Sequence, residues 1–219
     1  IERGARDVHI LVIGDSTGNN DNEWPRLFAS WIAQQYPTHS VSYRVWSSTD
    51  YASAVAVAAG SGARTIRIWN GSIAGSQPSH LMGEHWANAI GTPFASTPPD
   101  LVVWNHGHNL LGLTDEVLRG QFLGPMEQVR LAFPGAPHAM IAQAPDQTND
   151  TYAQIAAQIM RVCSDRGDTL VLDVYSQVMA LGKPGSLYVD SIHPSEAGTQ
   201  IYLGAVTAAW TSARIQPFA

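Results

Sequence analysis

Apolar runs of strand length alternate along this chain with longer stretches whose apolar residues recur at helical spacing. The first run, residues 8–13, is almost wholly apolar and ends at Gly14, which is typical of a fully buried strand. The stretch 23–36 repeats large apolar residues at helical intervals and stops before Pro37. That pattern predicts an amphipathic helix packed on a sheet.

The same alternation continues to the end of the chain. Strands that alternate with helices indicate βαβ units, in which helices cover both faces of a parallel sheet. In such a sheet, ligands bind beyond the carboxyl ends of the strands. Segment 51–60 is rich in Ala and Val and stays open between strand and helix. The predicted strands are 8–13, 41–46, 65–69, 101–104, 138–142 and 169–172, and the predicted helices are 23–36, 80–90, 115–133, 151–166 and 194–213.

The composition places the chain among globular proteins and narrows its partners. Its 219 residues are 45% hydrophobic and only 14% charged, which excludes a disordered chain and fits one domain over residues 1–219. With 12 basic and 18 acidic residues, the net charge is −6 and no basic run occurs, so nucleic acid is not an expected partner. No apolar run approaches the roughly 20 residues of a membrane helix.

The single cysteine, Cys163, excludes an internal disulfide framework and a cysteine-based zinc site. The chain begins at Ile1 rather than Met, so we expect an excised domain or a processed product. That expectation is compatible with an extracellular protein, or with one domain of a larger exported or virion-associated enzyme. The compartment and the oligomeric state stay open.

A serine follows the first predicted strand directly, in the segment Ile13-Gly14-Asp15-Ser16-Thr17-Gly18. A tight turn there would expose the hydroxyl of Ser16 and direct backbone N–H groups towards it. The next helix begins nearby, and its amino end favours developing negative charge. A simple Asp-Ser turn or helix cap explains the same residues, so this segment alone does not establish catalysis.

Near the other end of the chain, Asp190 and His193 lie three residues apart before a predicted helix. At this spacing the carboxylate can accept a hydrogen bond from one imidazole nitrogen, which leaves the other nitrogen to take a serine proton. The alternative is an acidic residue near a helix cap beside an incidental surface histidine. Asp173, after the last predicted strand, is a rival partner, and the local contact favours Asp190.

Two further segments with glycine follow other strands. The segment 107–109 ends in Asn109, whose carboxamide could donate to an oxyanion. In segment 70–75 a glycine would let the backbone approach a substrate and offer its N–H, and both Gly71 and Gly75 qualify. Ordinary turn chemistry explains each segment taken alone.

Taken together, these four segments resemble those of the SGNH hydrolases, also called GDSL esterases. That family has a Gly-Asp-Ser near the start, then a glycine loop, a Gly-x-Asn and an Asp-x-x-His near the end. This chain has the four in that order, and the resemblance spans residues 8–210. Two positions depart from the family pattern: Thr17 stands for the usual Leu, and Leu110 stands for the Asp that often follows the Asn.

The resemblance implies an α/β fold, a three-layer α/β/α flavodoxin-like sandwich around a central, mostly parallel five-stranded sheet. It also implies a role for each matched residue. Ser16 would be the nucleophile, His193 the general base and then the general acid, and Asp190 the residue that orients His193. The oxyanion hole would consist of the Ser16 and Gly75 backbone N–H groups and the Asn109 side chain.

Other sites find less support in the sequence. The serine segment also matches the G-x-S-x-G elbow of α/β-hydrolases, but an elbow normally lies well into the sheet and takes its Asp and His from separate loops. A Rossmann G-x-G-x-x-G and a P-loop are absent, so no nucleotide cofactor is expected. No metal is expected either, because no zinc spacing is matched by the nearby histidines His80, His85, His106 and His108.

Four residues near the strand ends are candidates for a substrate pocket, namely Asp15, Thr17, Trp69 and His108. We expect His106 and His108 at the rim of the pocket mouth. Trp46, Trp69 and Trp104 lie at predicted strand ends and could line an acyl or sugar pocket. Closing the core is the favoured interpretation for these three side chains.

These observations predict a serine esterase that forms an acyl-enzyme and needs no cofactor. The expected substrate is a small-molecule or glycan ester. Polar loops around His80, 97–100 and 147–150, without an evident apolar lid, favour a small, acetyl-like acyl group on a polar or carbohydrate alcohol. A lipase or acyl thioesterase of the same family is one alternative, and a non-catalytic module that binds carbohydrate or a surface is another.

Overall fold

A seven-stranded sheet forms the centre of the computed structural model, which describes residues 6–212 except for 84, 149 and 151. The strands are β1 (Val8–Gly14), β2 (Ser40–Val45), β3 (Val55–Ala58), β4 (Thr65–Asn70), β5 (Leu101–Asn105), β6 (His138–Ala142) and β7 (Thr169–Asp173). Their order across the sheet is β3-β2-β4-β1-β5-β6-β7. All neighbours are parallel except β3, which runs antiparallel to β2.

Helices cover both faces of this sheet. They are α1 (Trp24–Gln35), α2 (Asp115–Ala132), α3 (Tyr152–Arg166), α4 (Val174–Ala180) and α5 (Glu196–Thr211). Helices α1, α4 and α5 pack on one face, and α2 and α3 on the other. Successive side chains of β1 alternate between the layers, with Ile10 and Val12 on the first face and Leu11 and Ile13 on the second. Because both faces are buried, the strand is apolar at consecutive positions.

The three-layer α/β/α arrangement confirms the predicted fold class, and the number of strands corrects it. The sheet has seven strands rather than five, because β2 pairs with the outer side of β4 and β3 closes the edge beside β2. Strand β3 is short and partly exposed, with the sequence Val-Ala-Val-Ala, so its pattern does not distinguish a strand from a helix. In the described part of the chain, no helix has the length and apolar character needed to span a membrane.

Two helical predictions need correction. Segment 80–90 is not an α-helix; a 3₁₀ turn at Pro78–Leu81 and a π-helical turn at Ala87–Gly91 stand there instead. Gly83 lies between the two turns, where its backbone freedom disfavours a continuous helix. Helix α4 was not predicted, since its seven residues follow β7 without an intervening loop.

The last helix begins later than predicted. Helix α5 starts at Glu196 rather than at residue 194, because the hydroxyl of Ser195 accepts the N–H of Gly198 and caps the helix. The predicted end of this helix at residue 213 lies outside the described residues. The same holds for the predicted start of α3 at residue 151.

The topology reverses direction at β1, which has β4 on one side and β5 on the other. In parallel α/β sheets such a switch point is where ligands bind, beyond the carboxyl ends of the strands. Segments 14–18, 70–75 and 105–109 follow β1, β4 and β5. The fold therefore brings three of the four candidate segments to one edge of the sheet.

Candidate active site

Three side chains from the two ends of the chain form one hydrogen-bonded series above β1. Ser16 Oγ lies 2.8 Å from His193 Nε2, and His193 Nδ1 lies 2.7 Å from Asp190 Oδ2. Ser16 is half-buried, whereas the Asp190 side chain is 53% exposed. In this arrangement the serine hydroxyl can pass its proton to an imidazole whose other nitrogen is held by a carboxylate.

The orientation of Asp190 is set by its own loop. Its Oδ1 accepts the backbone N–H groups of Ile192 and His193, each at 2.8 Å, while Oδ2 accepts the imidazole. These hydrogen bonds, that of the His193 backbone N–H first, lower the pKa of Asp190 to about 2. The carboxylate is therefore ionised throughout the neutral range and favours the imidazole tautomer with its proton on Nδ1.

Asp173, the rival carboxylate, has a different role. It is the N-cap of α4, where its Oδ1 accepts the backbone N–H of Ser176 at 2.8 Å. Aspartate is among the residues preferred at this position, because its oxygen satisfies a free N–H group of the first helical turn. Asp173 therefore serves the helix, and Asp190 is the carboxylate that contacts His193.

The turn that presents Ser16 depends on the glycine before it. A Cβ atom on Gly14 would lie 2.6 Å from Ser72 Oγ and 3.1 Å from the carbonyl oxygen of Asn105. Glycine is what lets the ends of β1 and β5 and the loop after β4 approach so closely here. Asp15 then donates its N–H to the same Asn105 carbonyl at 3.1 Å, which continues the contact with β5 as far as Ser16.

Two backbone N–H groups near this turn are available to a ligand. Within the described residues, neither the Ser16 N–H nor the Gly75 N–H has a hydrogen-bond partner. Gly75 is exposed and has a φ of +74°, a conformation that glycine adopts without strain, in a turn closed by the N–H of Ser76. The alternative, Gly71, donates its N–H to the carbonyl of Val12 at 2.8 Å and is committed to the sheet.

Asn109 reaches the same loop from the end of β5. Its side-chain Nδ2 donates to the carbonyl of Ser76 at 3.0 Å, and its own carbonyl accepts the side chain of Gln77 at 3.1 Å. An amide nitrogen carries two hydrogens, so the second N–H of Asn109 Nδ2 can serve another acceptor. The structure thus joins Asn109 to the loop of Gly75, while Ser16 is joined to Asp190 through His193.

Comparisons with known proteins agree on the fold. No family model and no curated protein sequence matches the chain. The chain is similar to a crystal structure of a lipolytic G-D-S-L family member from Veillonella parvula (TM-score 0.66, 14% identity, 93% of this chain and 98% of that chain). It is also similar to a peptidoglycan O-acetylesterase (TM-score 0.70, 12% identity, 97% and 93%). A third similar structure is a carbohydrate esterase of family 3 from Talaromyces cellulolyticus (TM-score 0.68, 17% identity, 97% and 100%).

The chain has the SGNH hydrolase fold. This confirms the resemblance found in the four sequence segments at the level of the fold. The similar structures match the chain over nearly all of its length and theirs, so the likeness concerns the whole sheet and its helices. Its chemistry is argued from the distances and hydrogen bonds of the site itself.

Beneath Ser16, this SGNH fold carries a sealed group of polar side chains that we call the buried polar layer: Asp15, Thr17, Asn105 and Gln143. The carboxylate of Asp15 accepts the N–H of Thr17 at 3.0 Å and its hydroxyl at 2.9 Å. Gln143 Nε2 lies 3.0 Å from both carboxylate oxygens of Asp15 and 2.9 Å from Thr17 Oγ1. Asn105 Nδ2 donates to Thr17 Oγ1 at 3.0 Å. The residues on either side of Ser16 are therefore fixed from below.

Sequence reasoning missed Asn105 and Gln143. Asn105 is the last residue of β5, and Gln143 directly follows β6. A polar residue at the end of an apolar run is the signal that could have found them. Gln143 Oε1 also accepts the backbone N–H of His108 at 3.0 Å and the hydroxyl of Tyr152 at 2.7 Å, so both ends of its amide are engaged.

Asn70 is a further residue that sequence reasoning did not assign to the site. Its Nδ2 donates to the carbonyl of Gly18 at 2.6 Å and to the hydroxyl of Tyr43 at 2.7 Å. Its Oδ1 accepts the N–H of Ser72 at 3.1 Å. One buried side chain therefore ties the turn after Ser16 to the loop that leads to Gly75.

The predicted substrate pocket needs correction at three of its four positions. Asp15 and Thr17 are 0% exposed and His108 is 4% exposed, so these side chains offer almost no surface to a ligand. His106, expected with His108 at the rim, is 3% exposed. Hydrogen-bond partners from distant parts of the chain explain the burial of these polar groups; His108 Nε2, for example, donates to the carbonyl of Ala144 at 2.9 Å.

The tryptophans at the strand ends mainly close the core. Trp46 and Trp104 are buried, which confirms the favoured interpretation for both. Trp69 is half-buried, and its ring centroid lies 5.1 Å from that of Tyr51 and 5.4 Å from that of Phe94. Trp69 thus keeps some exposed surface, and its role in a pocket stays a prediction.

The histidines near the site have different direct contacts. Among the residues that the structure describes, no group of three or more His, Cys, Asp or Glu could hold a metal ion. The rings of His80 and His85 have centroids 5.1 Å apart, whereas His106 Nε2 lies 3.1 Å from the hydroxyl of Ser76. Cys163 is buried, and burial raises the pKa of its thiol to about 12, so it is no nucleophile at neutral pH.

Proposed function

We propose that this chain is a carboxylic ester hydrolase that works through an acyl-enzyme on Ser16. The observation that carries the proposal is the unbroken series Ser16–His193–Asp190 at the switch point of the sheet. Serine is a weak nucleophile alone, and it is activated by an adjacent base that a third group orients. The peptidoglycan O-acetylesterase and the carbohydrate esterase among the similar structures support the same reaction class.

In the first half-reaction, Ser16 Oγ attacks the ester carbonyl carbon while its proton moves to His193 Nε2. The carbonyl oxygen gains negative charge as the tetrahedral intermediate forms. The N–H groups of Ser16 and Gly75 and the second N–H of Asn109 Nδ2 are the donors proposed to stabilise that charge. His193 then gives its proton to the leaving alcohol, and the acyl group stays on Ser16 as an ester.

In the second half-reaction, water takes the place of the alcohol. His193 accepts a proton from the water as its oxygen attacks the acyl carbon, and it returns that proton to Ser16 Oγ as the acid leaves. Asp190 keeps the Nδ1 proton in place through both halves and stabilises the imidazolium each time it forms. Because the pKa of Asp190 is about 2, the imidazolium meets a full negative charge at 2.7 Å.

We further propose a small, acetyl-like acyl group on a polar or carbohydrate alcohol as the substrate. Two similar structures bear the names peptidoglycan O-acetylesterase and carbohydrate esterase, which supports this class. The polar residue Gln147 lies beside the site, since its N–H donates to the carbonyl of Ser191 at 2.8 Å. Segment 97–100 does not support this substrate class, because it lies far from Ser16. The segment precedes β5 and lines a cavity of about 570 Å³ at the end of the sheet opposite the candidate site.

The test is a panel of aryl esters of increasing acyl length, together with acetylated xylan as a glycan ester. We expect kcat/KM to be highest for the acetate and to fall as the acyl chain lengthens, and we expect acetate release from xylan. Ser16→Ala should abolish turnover, whereas Ser79→Ala, the same change at an exposed serine, should not. Turnover by Ser16→Ala at the wild-type rate would contradict the assigned nucleophile. A preference for long acyl chains would favour a lipase or thioesterase instead.

A further inference from the structure

We propose that Ser76 is a positioning residue for the oxyanion hole and that His106 holds Ser76 in place. The proposal rests on the esterase function proposed above and adds two residues to which the sequence analysis gave no role in the oxyanion hole. Both side chains are buried. Ser76 directly follows Gly75, and His106 directly follows the last residue of β5.

The polar groups of Ser76 reach three different parts of the site. Its hydroxyl donates to the carbonyl of Gly14, the last residue of β1, at 2.9 Å. Its N–H donates to the carbonyl of Ile73 at 3.1 Å and closes the turn that contains Gly75. Its carbonyl accepts Nδ2 of Asn109 at 3.0 Å. One residue therefore connects the three elements that would supply the oxyanion donors.

The contact between Ser76 and His106 determines where the imidazole proton lies. The Ser76 hydroxyl has one hydrogen, which goes to Gly14, so His106 Nε2 must be the donor across the 3.1 Å between them. His106 is thus protonated on Nε2, and its Nδ1 is buried without a partner among the described residues. Burial lowers the pKa of His106 to about 4, which keeps the ring neutral near pH 7.

The carbonyl of Gly14 is held twice by the loop that carries Gly75. It accepts the Ser76 hydroxyl at 2.9 Å and the N–H of Ile73 at 2.9 Å, so both of its lone pairs are used. These two bonds fix the loop against the end of β1, and with it the separation between the Ser16 and Gly75 N–H groups. A misplacement of about 1 Å in an active site can cost ~10²-fold in rate.

The kinetic experiment compares Ser76→Ala with Ser79→Ala, the same change at an exposed serine in the following 3₁₀ turn. We expect Ser76→Ala to lower kcat on an aryl acetate about 10- to 100-fold with little change in KM, and Ser79→Ala to change neither. His106→Gln, which keeps a donor at the position of Nε2, should stay near wild type, while His106→Leu should match Ser76→Ala. Equal losses in the two His106 variants would overturn the role of the Nε2 proton.

A double-mutant cycle separates positioning from a general loss of stability. If Ser76 acts through the oxyanion donors, Ser76→Ala should cost much less in an Asn109→Ala background, because the hole has already lost a donor that Ser76 positions. Fully additive losses would overturn the proposal. The variants need not have the same urea midpoint, because kcat is compared under conditions in which each variant is fully folded.

A third readout does not need turnover. In ¹⁵N-edited spectra, the backbone amides of Ser16 and Gly75 and the side-chain amide of Asn109 should shift in Ser76→Ala and stay in place in Ser79→Ala. Unmoved resonances would overturn the positioning role whether or not the wild type hydrolyses an ester. If these resonances shift in Ser76→Ala but the wild type hydrolyses no ester, the positioning role is supported and only the esterase function is contradicted.

Discussion

The loop that carries Asp190 and His193 and the buried polar layer beneath Ser16 are built in opposite ways. The loop is local and open, since Asp190 bonds the N–H groups two and three residues further on and keeps an exposed side chain. The layer is non-local and sealed, since Gln143 contacts Asp15 across 128 residues of sequence and both are buried. Groups that move protons are thus accessible, and groups that hold the serine are not. Changes in the loop should therefore reduce the rate, and changes in the layer should reduce stability.

The largest effect is expected from Asp190→Asn. The carboxamide oxygen can still accept the backbone N–H groups, but its nitrogen is a donor and favours the wrong tautomer of His193. We expect kcat on an aryl acetate to fall by about 10³- to 10⁴-fold while the urea midpoint stays nearly constant. The matched control is Asp173→Asn, which alters only the cap of α4 and should keep the wild-type kcat. A kcat for Asp190→Asn close to that of the control would contradict the role given to this loop.

A smaller effect, and one on stability instead of rate, is expected from Gln143→Leu. The change removes the amide donor beside the Asp15 carboxylate and the acceptor for the N–H of His108 and the hydroxyl of Tyr152. Buried polar groups left unpaired cost about 1–3 kcal/mol, and more when charged, so the free energy of unfolding should fall by roughly 3 kcal/mol. Urea titration measures it, with Gln177→Leu on the exposed face of α4 as the control. Equal values for both variants would show that the layer does not support the fold.

The third effect is a pH dependence of the free energy of unfolding that arises from two buried histidines, and it is the smallest when taken per pH unit. Burial lowers the pKa of His106 and His138 to about 4, and Trp104 Nε1 donates to the bare Nδ1 of His138 at 3.1 Å. As the pH falls, the unfolded chain binds these protons first, because its histidines have a pKa near 6.5. The stability they contribute is therefore complete above pH ~6.5 and is lost as the pH falls through about 4.

Between those values, each histidine should change the free energy of unfolding by about 1.4 kcal/mol per pH unit. Asp190, with a pKa of about 2, titrates below this window. In urea unfolding experiments between pH 4.5 and 6, His138→Gln should reduce the slope of the unfolding free energy against pH by the amount that one proton contributes. A slope identical to that of the wild type would mean that His138 is not buried as a neutral ring.

Most of the fold could be predicted from the sequence, because six of the seven strands are either apolar runs, such as β1 and β5, or alternate apolar and polar residues, such as β2 and β4. The exceptions have physical reasons. Strand β3 lies at the edge and is partly exposed, so its pattern is weak. The segment 80–90 has apolar residues at helical spacing, but the structure forms two short turns there on either side of Gly83. The spacing of apolar residues indicates which side chains are buried, but it does not show whether one helix runs through the whole segment.

The candidate site also contains residues that the sequence could predict and residues that it could not. Ser16, Asp190 and His193 could be found because each lies in a short segment whose spacing carries chemistry. Gln143 and Ser76 could not, because their roles arise only when strands far apart in sequence lie side by side. The same cause misplaced Asp15, Thr17 and His108: their polar side chains suggest exposure, and only partners on β5 and beyond β6 explain why they are buried.

The most direct test of the account is covalent labelling of the intact protein with an aryl phosphonate, followed by mass spectrometry of its peptides. The account predicts one adduct per chain on Ser16, and no adduct there in a folded His193→Ala variant, because the hydroxyl then has no base at 2.8 Å. Labelling of Ser16 at the same rate in both proteins would contradict the role of His193. An intact wild type that takes up no label at Ser16 would contradict the enzyme itself and favour a non-catalytic binding module on this fold.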